Sequence, residues 1–441
     1  MSNVSMNADV VVCGAGMAGI ATSFYLKQFG LKKIVMVDPE APLSRTSSRS
    51  AQCFRNWFDV PEMREFVEHS INLMETLAEE SNNVFDMDHR GYIYLSSEIT
   101  GAKQHLLDFA DKIAAGVRGG IRYYEDDITN YYGDFAMLNQ KAPGVDLFIG
   151  ETVRKAYPYL AAGISSAMHI RRAGCVDAAK MGRYMLEQSG ATIVRGKVVG
   201  LSELVHGKYE VGVSGHSSTI TTPTIINAAG AWCNDVAQLM GEKLPLKNFL
   251  HEKIVFEDYA GVLSRDAPML ICSDKLEVDE MHTSSGSYVR PIGKKNILMG
   301  WAFEETPIEN PIWPPDDNYH NSNTLISLLL RASRHIVDGF EFYQEEFKRG
   351  NKNFQNSLVH DGGYYAETDD YGPLIGPLKL PGMFGVTGMG GYGIMGACAA
   401  GELAAQWVVG AKLPKYANTF TLENWKQCAD GKRFEGSKSK L

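Results

Sequence analysis

No stretch of this 441-residue chain approaches the roughly 20 consecutive apolar residues that crossing a bilayer requires. The short apolar stretch Val10 to Cys13 gives way at once to glycines, so it reads as a strand and not as a signal peptide or a membrane segment. Clustered positive charge is missing too: 43 Lys and Arg stand against 52 Asp and Glu, for a net charge of -9. Nucleic acid and anionic membrane surfaces are therefore not expected partners, since both are recognised through basic patches. The seven cysteines, Cys13, Cys53, Cys175, Cys233, Cys272, Cys398 and Cys428, include no C-x-x-C pair. Their spacing argues against a disulfide framework and a structural zinc site; no metal is expected, and a reducing compartment is the simplest setting. There is no internal repeat and no low-complexity block.

What the chain does have is length and apolar content. A hydrophobic fraction of 44% supplies a sizeable core, and the length exceeds an ordinary single domain, so two interleaved domains are expected. Ala8 to Cys13 reads as a buried strand, Met17 to Phe29 as a helix ending near Gly30, and Lys33 to Val37 as a second strand. This is a βαβ unit. Pro61 opens a helix whose apolar stripe runs through Met63, Phe66, Val67, Ile71, Met74 and Leu77. After Gly91 come a strand at Tyr92 to Leu95, a helix around Ala102 to Ala115, and an irregular aromatic-rich segment from Tyr123 to Phe148.

Asp177 caps a helix that Gly190 stops, and Ala191 to Val194, Lys197 to Val199, Tyr209 to Val213 and Thr224 to Asn227 read as strands. Further strands are expected at Lys253 to Phe256, Met269 to Cys272, Ser287 to Pro291 and Ile297 to Gly300, then a helix through Leu325 to Ile336. A glycine-dense turn, Gly382 to Gly396, leads into a last helix through Gly401 to Val409.

Gly14-Ala15-Gly16-Met17-Ala18-Gly19 lies between the first strand and its helix, and Asp38 ends the next strand. That is the context in which a G-x-G-x-x-G run binds a dinucleotide. Gly14 permits the tight turn, Gly16 lets backbone approach the pyrophosphate, Gly19 lets helix meet strand, and Asp38 accepts the ribose hydroxyls. NAD-dependent folds usually continue in unbroken βαβ units, whereas this chain leaves for another domain after Asp38 and returns only near Asp177. The discontinuity favours FAD.

Four stretches together resemble the D-amino-acid oxidase and sarcosine oxidase superfamily of flavoenzymes over nearly the whole chain. They are Gly14 to Asp38; Ser47-Ser48-Arg49-Ser50-Ala51 with Arg55; Ile226-Asn227-Ala228-Ala229-Gly230-Ala231-Trp232; and Gly372-Pro373-Leu374-Ile375-Gly376 with Gly388 to Met395. The resemblance implies an α/β plus α+β architecture, in which a discontinuous Rossmann-type FAD-binding domain (1–90, 151–240 and 355–441) joins an antiparallel-sheet substrate domain (91–150 and 241–354). It implies further that Ser47 and Ser48 touch the ADP or pyrophosphate, and that Arg49, Ser50, Ala51 and Gln52 run beside the isoalloxazine. Val198 is placed against the adenine, and Ala229, Gly230 and Trp232 flank the cofactor. Gly390, Gly391, Tyr392, Gly393, Ile394 and Met395 are placed to present N–H groups to the flavin pyrimidine edge.

The sequence also departs from those relatives. Some link the flavin through a cysteine where this chain has Asp361-Gly362-Gly363-Tyr364-Tyr365, and others through a histidine near Arg45 to Ala51, where none occurs. Non-covalent FAD is expected. The lysine that holds a substrate carboxylate in monomeric sarcosine oxidases is replaced by Met395, and the oxygen-activating lysine falls in Ile297-Leu298-Met299-Gly300, which is apolar.

Arg55 and Arg290 are the arginines suited to a substrate carboxylate, though each has a structural ion pair as its alternative. Tyr288 and Tyr392, with Trp57, Phe58, Tyr364 and Tyr365, form either an amine cage or core. His251, His282 and His360 are either acid–base groups or surface residues.

The expected reaction is oxidation of a C–N bond in an amino acid or a secondary or N-methyl amine, with reoxidation by O2 or another electron acceptor. Two alternatives stay open: a flavin dehydrogenase of a 2-hydroxy acid or polyol, and a flavin-bearing assembly protein without turnover. The terminal Ser439-Lys440-Leu441 matches the address read by the peroxisomal import receptor; the expected location is the peroxisome in a eukaryote and otherwise the cytoplasm.

Overall fold

The computed structural model describes residues 6–97, 119–131, 144–204, 207–272, 274, 277–278, 281–282, 286–301, 306–315, 322–428 and 433–434. Val10–Cys13, Met17–Gln28 and Ile34–Asp38 form the expected βαβ unit. Its strands are central in a six-stranded sheet whose order is Thr192–Arg195, Ile34–Asp38, Val10–Cys13, Ile225–Asn227, Met383–Thr387 and Leu374–Pro377. All neighbours run parallel except the last pair. The strands are short apolar runs because helices cover them. Met17–Gln28 packs against both Ala178–Ser189 and Ala397–Val409. A Cβ on Gly401 would lie 2.5 Å from the Ala21 backbone, so that helix pair meets at a glycine. Asp177 caps Ala178–Ser189 by accepting the Lys180 N–H at 2.9 Å, and Gly190 ends it in the left-handed conformation.

The second domain is one large mixed sheet. Its order is Pro307–Ile308, Lys247–Glu257, Asn296–Trp301, Ser287–Ile292, Met269–Cys272, Tyr92–Ser96, Ser166–Ile170, Val145–Ile149 and Ile121–Tyr124, and Val359–Glu367 pairs additionally with Lys247–Glu257. Most pairs are antiparallel, as expected. Tyr92–Ser96 against Met269–Cys272, and Ile121–Tyr124 against Val145–Ile149, are parallel. One sheet face packs under Ser322–Arg334 and Glu341–Lys348, in the cluster holding Ile254, Val289, Leu329 and Phe340. The other face carries Tyr92, Tyr94, Met269, Ile271, Tyr288 and Leu298 and packs against Cys53 and Trp57 of the first domain.

The structure redraws several sequence expectations. The segment 123–148, read as irregular, carries a strand at each end. The alternation there is masked because Asp146, inside Val145–Ile149, is buried and bonded to Arg122 and Arg171. The strand read at Lys253 to Phe256 is the longer Lys247–Glu257, and the last helix starts at Ala397. Ser166–Ile170 and Val359–Glu367, inside ranges assigned to the cofactor domain, hydrogen-bond into the large sheet. The helix read at 102–115 lies outside the described residues. Among the described residues no helix is long and apolar enough to cross a membrane, and no group of three or more His, Cys, Asp or Glu is placed to hold a metal ion.

Candidate cofactor and active site

The glycine turn after Val10–Cys13 is fixed by contacts that no side chain tolerates. Gly14 sits at φ +110°, where an added Cβ would lie 2.4 Å from the Ala228 carbonyl oxygen, and a Cβ on Gly19 would lie 2.1 Å from the Gly14 oxygen. The Asp38 carboxylate accepts the Ala15 N–H at 2.7 Å and the Glu40 N–H at 2.8 Å, which ties the end of the second strand to the turn. Ser47 Oγ accepts the Met17 N–H at 2.9 Å. A polar group therefore stands at the helix N-terminus, where unpaired N–H groups and the dipole favour negative charge.

Two cavities adjoin at this turn, with about 910 Å³ and about 890 Å³ of open space. The first is lined by Gly14, Ala15, Gly16, Asp38, Ser47, Val198, Ala229, Gly230 and Trp232, all expected cofactor residues, together with Ser44 and Arg45. The second is lined by Gly16, Met17, Ala18, Ser47, Ser50, Ala51, Gln52, Gly390, Gly391, Gly393, Ile394 and Met395, again as expected, with Cys53, Tyr92, Tyr364 and Tyr365. Gly16 and Ser47 are shared, so a pyrophosphate there would leave one nucleotide in each cavity. Ser44 Oγ and Arg45 Nε in the first cavity are buried without a protein hydrogen-bond partner. Such orphaned polar groups suit a bound dinucleotide, and the Arg45 guanidinium lies 4.0 Å from the Trp232 ring centre.

Some expected residues lie outside these linings. Gly19 is buried beneath the turn, Ser48 Oγ donates to the Arg45 carbonyl at 3.3 Å, and Tyr392 packs edge-on against Phe58. Arg49 turns away to pair with Asp361 and to stack over Trp313 at 4.9 Å. The other candidate catalytic side chains, Arg55, Arg290, Tyr288 and His251, stand one layer behind the second cavity. Arg55 is 9% exposed, donates to the Trp57 carbonyl and lies 4.5 Å from the Phe58 ring centre. Arg290, 5% exposed, donates from Nε to the Ala51 carbonyl at 2.8 Å and from Nη1 to the Pro291 carbonyl at 3.1 Å. Both arginines therefore shape the loop beside the cavity instead of opening into it. Tyr288 is buried in the sheet face, and burial raises its phenol well above the ordinary value. His251 stacks flat on Tyr365 at 4.0 Å. His360 is paired with Glu252 at 2.8 Å, and the side chain of His282 lies outside the described residues.

Sequence reading missed Lys253. This residue is 4% exposed, and its Nζ donates to the Arg49 carbonyl at 2.6 Å and lies 3.3 Å from Asp361 Oδ2. Burial lowers its pKa, Asp361 opposes that, and Arg49 and Arg290 add to the lowering. It is carried by the strand paired with Asn296–Trp301, whose stretch Ile297-Leu298-Met299-Gly300, expected to correspond to the strand that bears the oxygen-activating lysine, is apolar and buried. Lys253 was concealed because it opens a strand-like run beside other charged residues, and only the pairing of that strand over Arg49 reveals its place.

A nucleotide cradle at the carboxyl ends of parallel strands, covered by a second sheet, defines a two-domain flavoprotein. Residues 9–407 match the model of the DAO family, FAD dependent oxidoreductases, and the chain belongs to that family. FAD is its cofactor. Among its relatives, sarcosine oxidase subunit beta of Arthrobacter sp is 24% identical over 426 residues, covering 95% of this chain and 91% of that protein. Human mitochondrial dimethylglycine dehydrogenase is 21% identical over 419 residues, covering 92% of this chain and 43% of that protein. The chain thus spans less than half the length of the dimethylglycine dehydrogenases it matches. Glycine oxidase from Geobacillus kaustophilus shares the fold with a TM-score of 0.73 at 17% identity, covering 95% of this chain and 99% of that one. L-proline dehydrogenase from P. horikoshii does so with a TM-score of 0.70 at 18% identity, covering 96% and 99%.

Proposed function

We propose that this chain oxidises the C–N bond of an amino acid or of a secondary or N-methyl amine, releases an imine that hydrolyses in water, and passes the electrons to O2 as H2O2. The observation that carries the reading is the aromatic wall of the second cavity: Tyr92, Tyr364 and Tyr365 stand beside the Gly390 to Met395 turn, with Tyr288 and two buried arginines behind them. FAD, when bound non-covalently, supplies the two-electron acceptor for the hydride lost from the carbon beside nitrogen. The aromatic faces hold the alkyl groups of a neutral amine, favour positive charge and exclude water. Arg55 and Arg290 supply positive potential that draws a carboxylate toward this wall. His251 braces Tyr365 by stacking. The names of the relatives, which speak of sarcosine and dimethylglycine, support a small N-methylated amino acid.

Lys253 supports oxygen as the acceptor, because a buried ammonium beside the Arg49 carbonyl stabilises the negative charge that develops as oxygen is reduced. The apolar stretch Ile297-Leu298-Met299-Gly300 favours a second reading, dehydrogenation with another acceptor, since the resemblance places the oxygen-activating lysine on that strand. The Ser-Lys-Leu ending, outside the described residues, supports import into peroxisomes in a eukaryote, where hydrogen peroxide is tolerated. The test is anaerobic bleaching of the flavin by a panel of amines, amino acids and hydroxy acids, followed by air. Bleaching by amines with prompt peroxide is expected; bleaching only by hydroxy acids would overturn the substrate class, and slow reoxidation would favour the dehydrogenase.

A further inference from the structure

Cys53 and Cys175 have no part in the chemistry described so far. They are 122 residues apart in the sequence, yet they face each other on the two-stranded ribbon of Cys53–Arg55 and Ala173–Cys175, with sulfurs 3.3 Å apart. The Val176 N–H donates to the Gln52 carbonyl at 3.0 Å, one residue outside the pair on each strand, while the Cys175 N–H goes to Asp88 Oδ1 at 3.3 Å. The two cysteines therefore occupy a non-hydrogen-bonded position, where Cα atoms stand about 4.5 Å apart. That falls within the span of about 4.4–6.8 Å that a disulfide bridges, so a bond can form without the strands sliding.

Cys53 lines the second cavity beside Ala51 and Gln52. The Ala51 carbonyl oxygen lies 3.2 Å from Cys53 Sγ and accepts Arg290 Nε at 2.8 Å, which brings a guanidinium charge to the thiol. Burial pushes the Cys53 thiol up, but its hydrogen bond with Cys175 and the Arg290 charge outweigh burial and bring it below the ordinary value. Cys175 is held well above that value, first by Cys53 and then by burial. Cys53 is thus the more acidic thiol of the pair, and Cys175 the one that holds its proton more firmly. Burial pushes Cys13, Cys233, Cys272 and Cys398 up to about 12, which leaves those thiols inert.

We propose that Cys53 and Cys175 are a peroxide-oxidisable dithiol in the wall of the flavin cavity, which closes to a reversible disulfide and ties the loop beside the flavin to the strand behind it. Cys53 gives up its proton and the thiolate attacks one oxygen of hydrogen peroxide; the O–O bond breaks, the leaving hydroxide takes that proton to become water, and Cys53 becomes a sulfenic acid. The Cys175 sulfur then attacks the Cys53 sulfur; the S–S bond forms, the S–O bond breaks, and water leaves with the Cys175 proton. In sum, two thiols and one peroxide give one disulfide and two waters. The peroxide is either made in the same cavity during turnover or supplied from outside.

The test exposes flavin-loaded protein to a small excess of hydrogen peroxide, removes the excess with catalase, alkylates the unfolded chain with iodoacetamide and maps its peptides by mass. The Cys53 and Cys175 peptides should appear joined, alkylatable thiols should fall by two, and dithiothreitol should restore both. In Cys175→Ser the same treatment should leave a dimedone-reactive sulfenic acid on Cys53. Full alkylation of both cysteines after peroxide, or oxidation spread evenly over the seven, would overturn the proposal. The readout is a covalent link made by added peroxide, so it stands or falls independently of whether amines reduce the flavin.

Discussion

Ser47 Oγ accepts the Met17 N–H at 2.9 Å and lies where the two cavities meet, so a hydroxyl from a distant loop marks the anion site of the first helix. Removing it with Ser47→Ala deletes one hydrogen-bonding group worth about 1 kcal/mol, or roughly a fivefold loss of FAD affinity. Ser47→Asp should act far more strongly, because it sets a fixed negative charge against the pyrophosphate. Quenching of FAD fluorescence by apoprotein measures both. Equal affinity of Ser47→Asp and wild type would mean that the pyrophosphate does not lie at this helix end.

Gly14 and Gly30 separate two reasons for a glycine. Both have positive φ, +110° and +97°, but a Cβ at Gly14 would meet the Ala228 oxygen at 2.4 Å whereas one at Gly30 meets nothing within 4 Å. Gly30→Ala should therefore cost about 1–2 kcal/mol of backbone strain and keep its flavin. Gly14→Ala forces apart the turn and the strand end that together line the first cavity, and it should be isolated without FAD. Flavin content and Tm of the two variants provide the check, and a fully loaded Gly14→Ala protein would contradict the close approach.

How much of this was legible follows how local each feature is. The turn from Gly14 to Gly19 and the Asp177 to Gly190 helix were readable because caps, glycines and apolar period all lie within one short stretch. Val145–Ile149 was not readable as a strand, since buried Asp146 breaks its pattern, and its reason for being there, the pairing with Arg122 and Arg171, is long-range. Likewise Asp361-Gly362-Gly363-Tyr364-Tyr365 was read only as the place of a flavin-linking cysteine that this chain lacks, yet it lies within a nine-residue strand paired along Lys247–Glu257. That pairing brings Lys253, Asp361 and Arg49 together, and the sequence holds no trace of it. The catalytic candidates were chosen by residue type, which identifies charge but not distance from a cavity.

Lys253 offers a test of the electron acceptor. Lys253→Met should leave anaerobic reduction by substrate within a few-fold of wild type and slow reoxidation by O2 about 10²-fold, the usual cost of losing one preorganised charge-stabilising group. Lys253→Arg keeps the charge and should recover part of the rate. Because burial lowers the Lys253 pKa below the ordinary 10.5, the ammonium is lost earlier as pH rises, so reoxidation should decline at lower pH than an exposed lysine would allow. Stopped-flow traces with oxygen as the variable reactant measure this directly. Unchanged reoxidation in Lys253→Met would make the lysine only an anchor for the Arg49 loop.

His169 should govern acid sensitivity. It is buried in the large sheet; its Nε2 lies 3.1 Å from the Arg90 carbonyl, and its Nδ1 lies 3.0 Å from Tyr131 Oη and 3.1 Å from Tyr157 Oη. A neutral ring donates from Nε2 to the Arg90 carbonyl and accepts at Nδ1 from one of the two hydroxyls, which also hydrogen-bond each other. Burial lowers its pKa from 6.5 to about 4, with Asp146 opposing and Arg171 assisting. Between those values the unfolded chain binds a proton that the folded chain does not, so stability falls as pH drops from 6.5 toward 4 and levels off below. The loss is about 3 kcal/mol over that window. His169→Gln retains an N–H and carries no titrating charge, so its Tm should be lower than that of wild type at pH 7 and the gap should narrow as the pH approaches 4. A gap that stays constant from pH 7 to pH 4 would show that the folded His169 titrates normally.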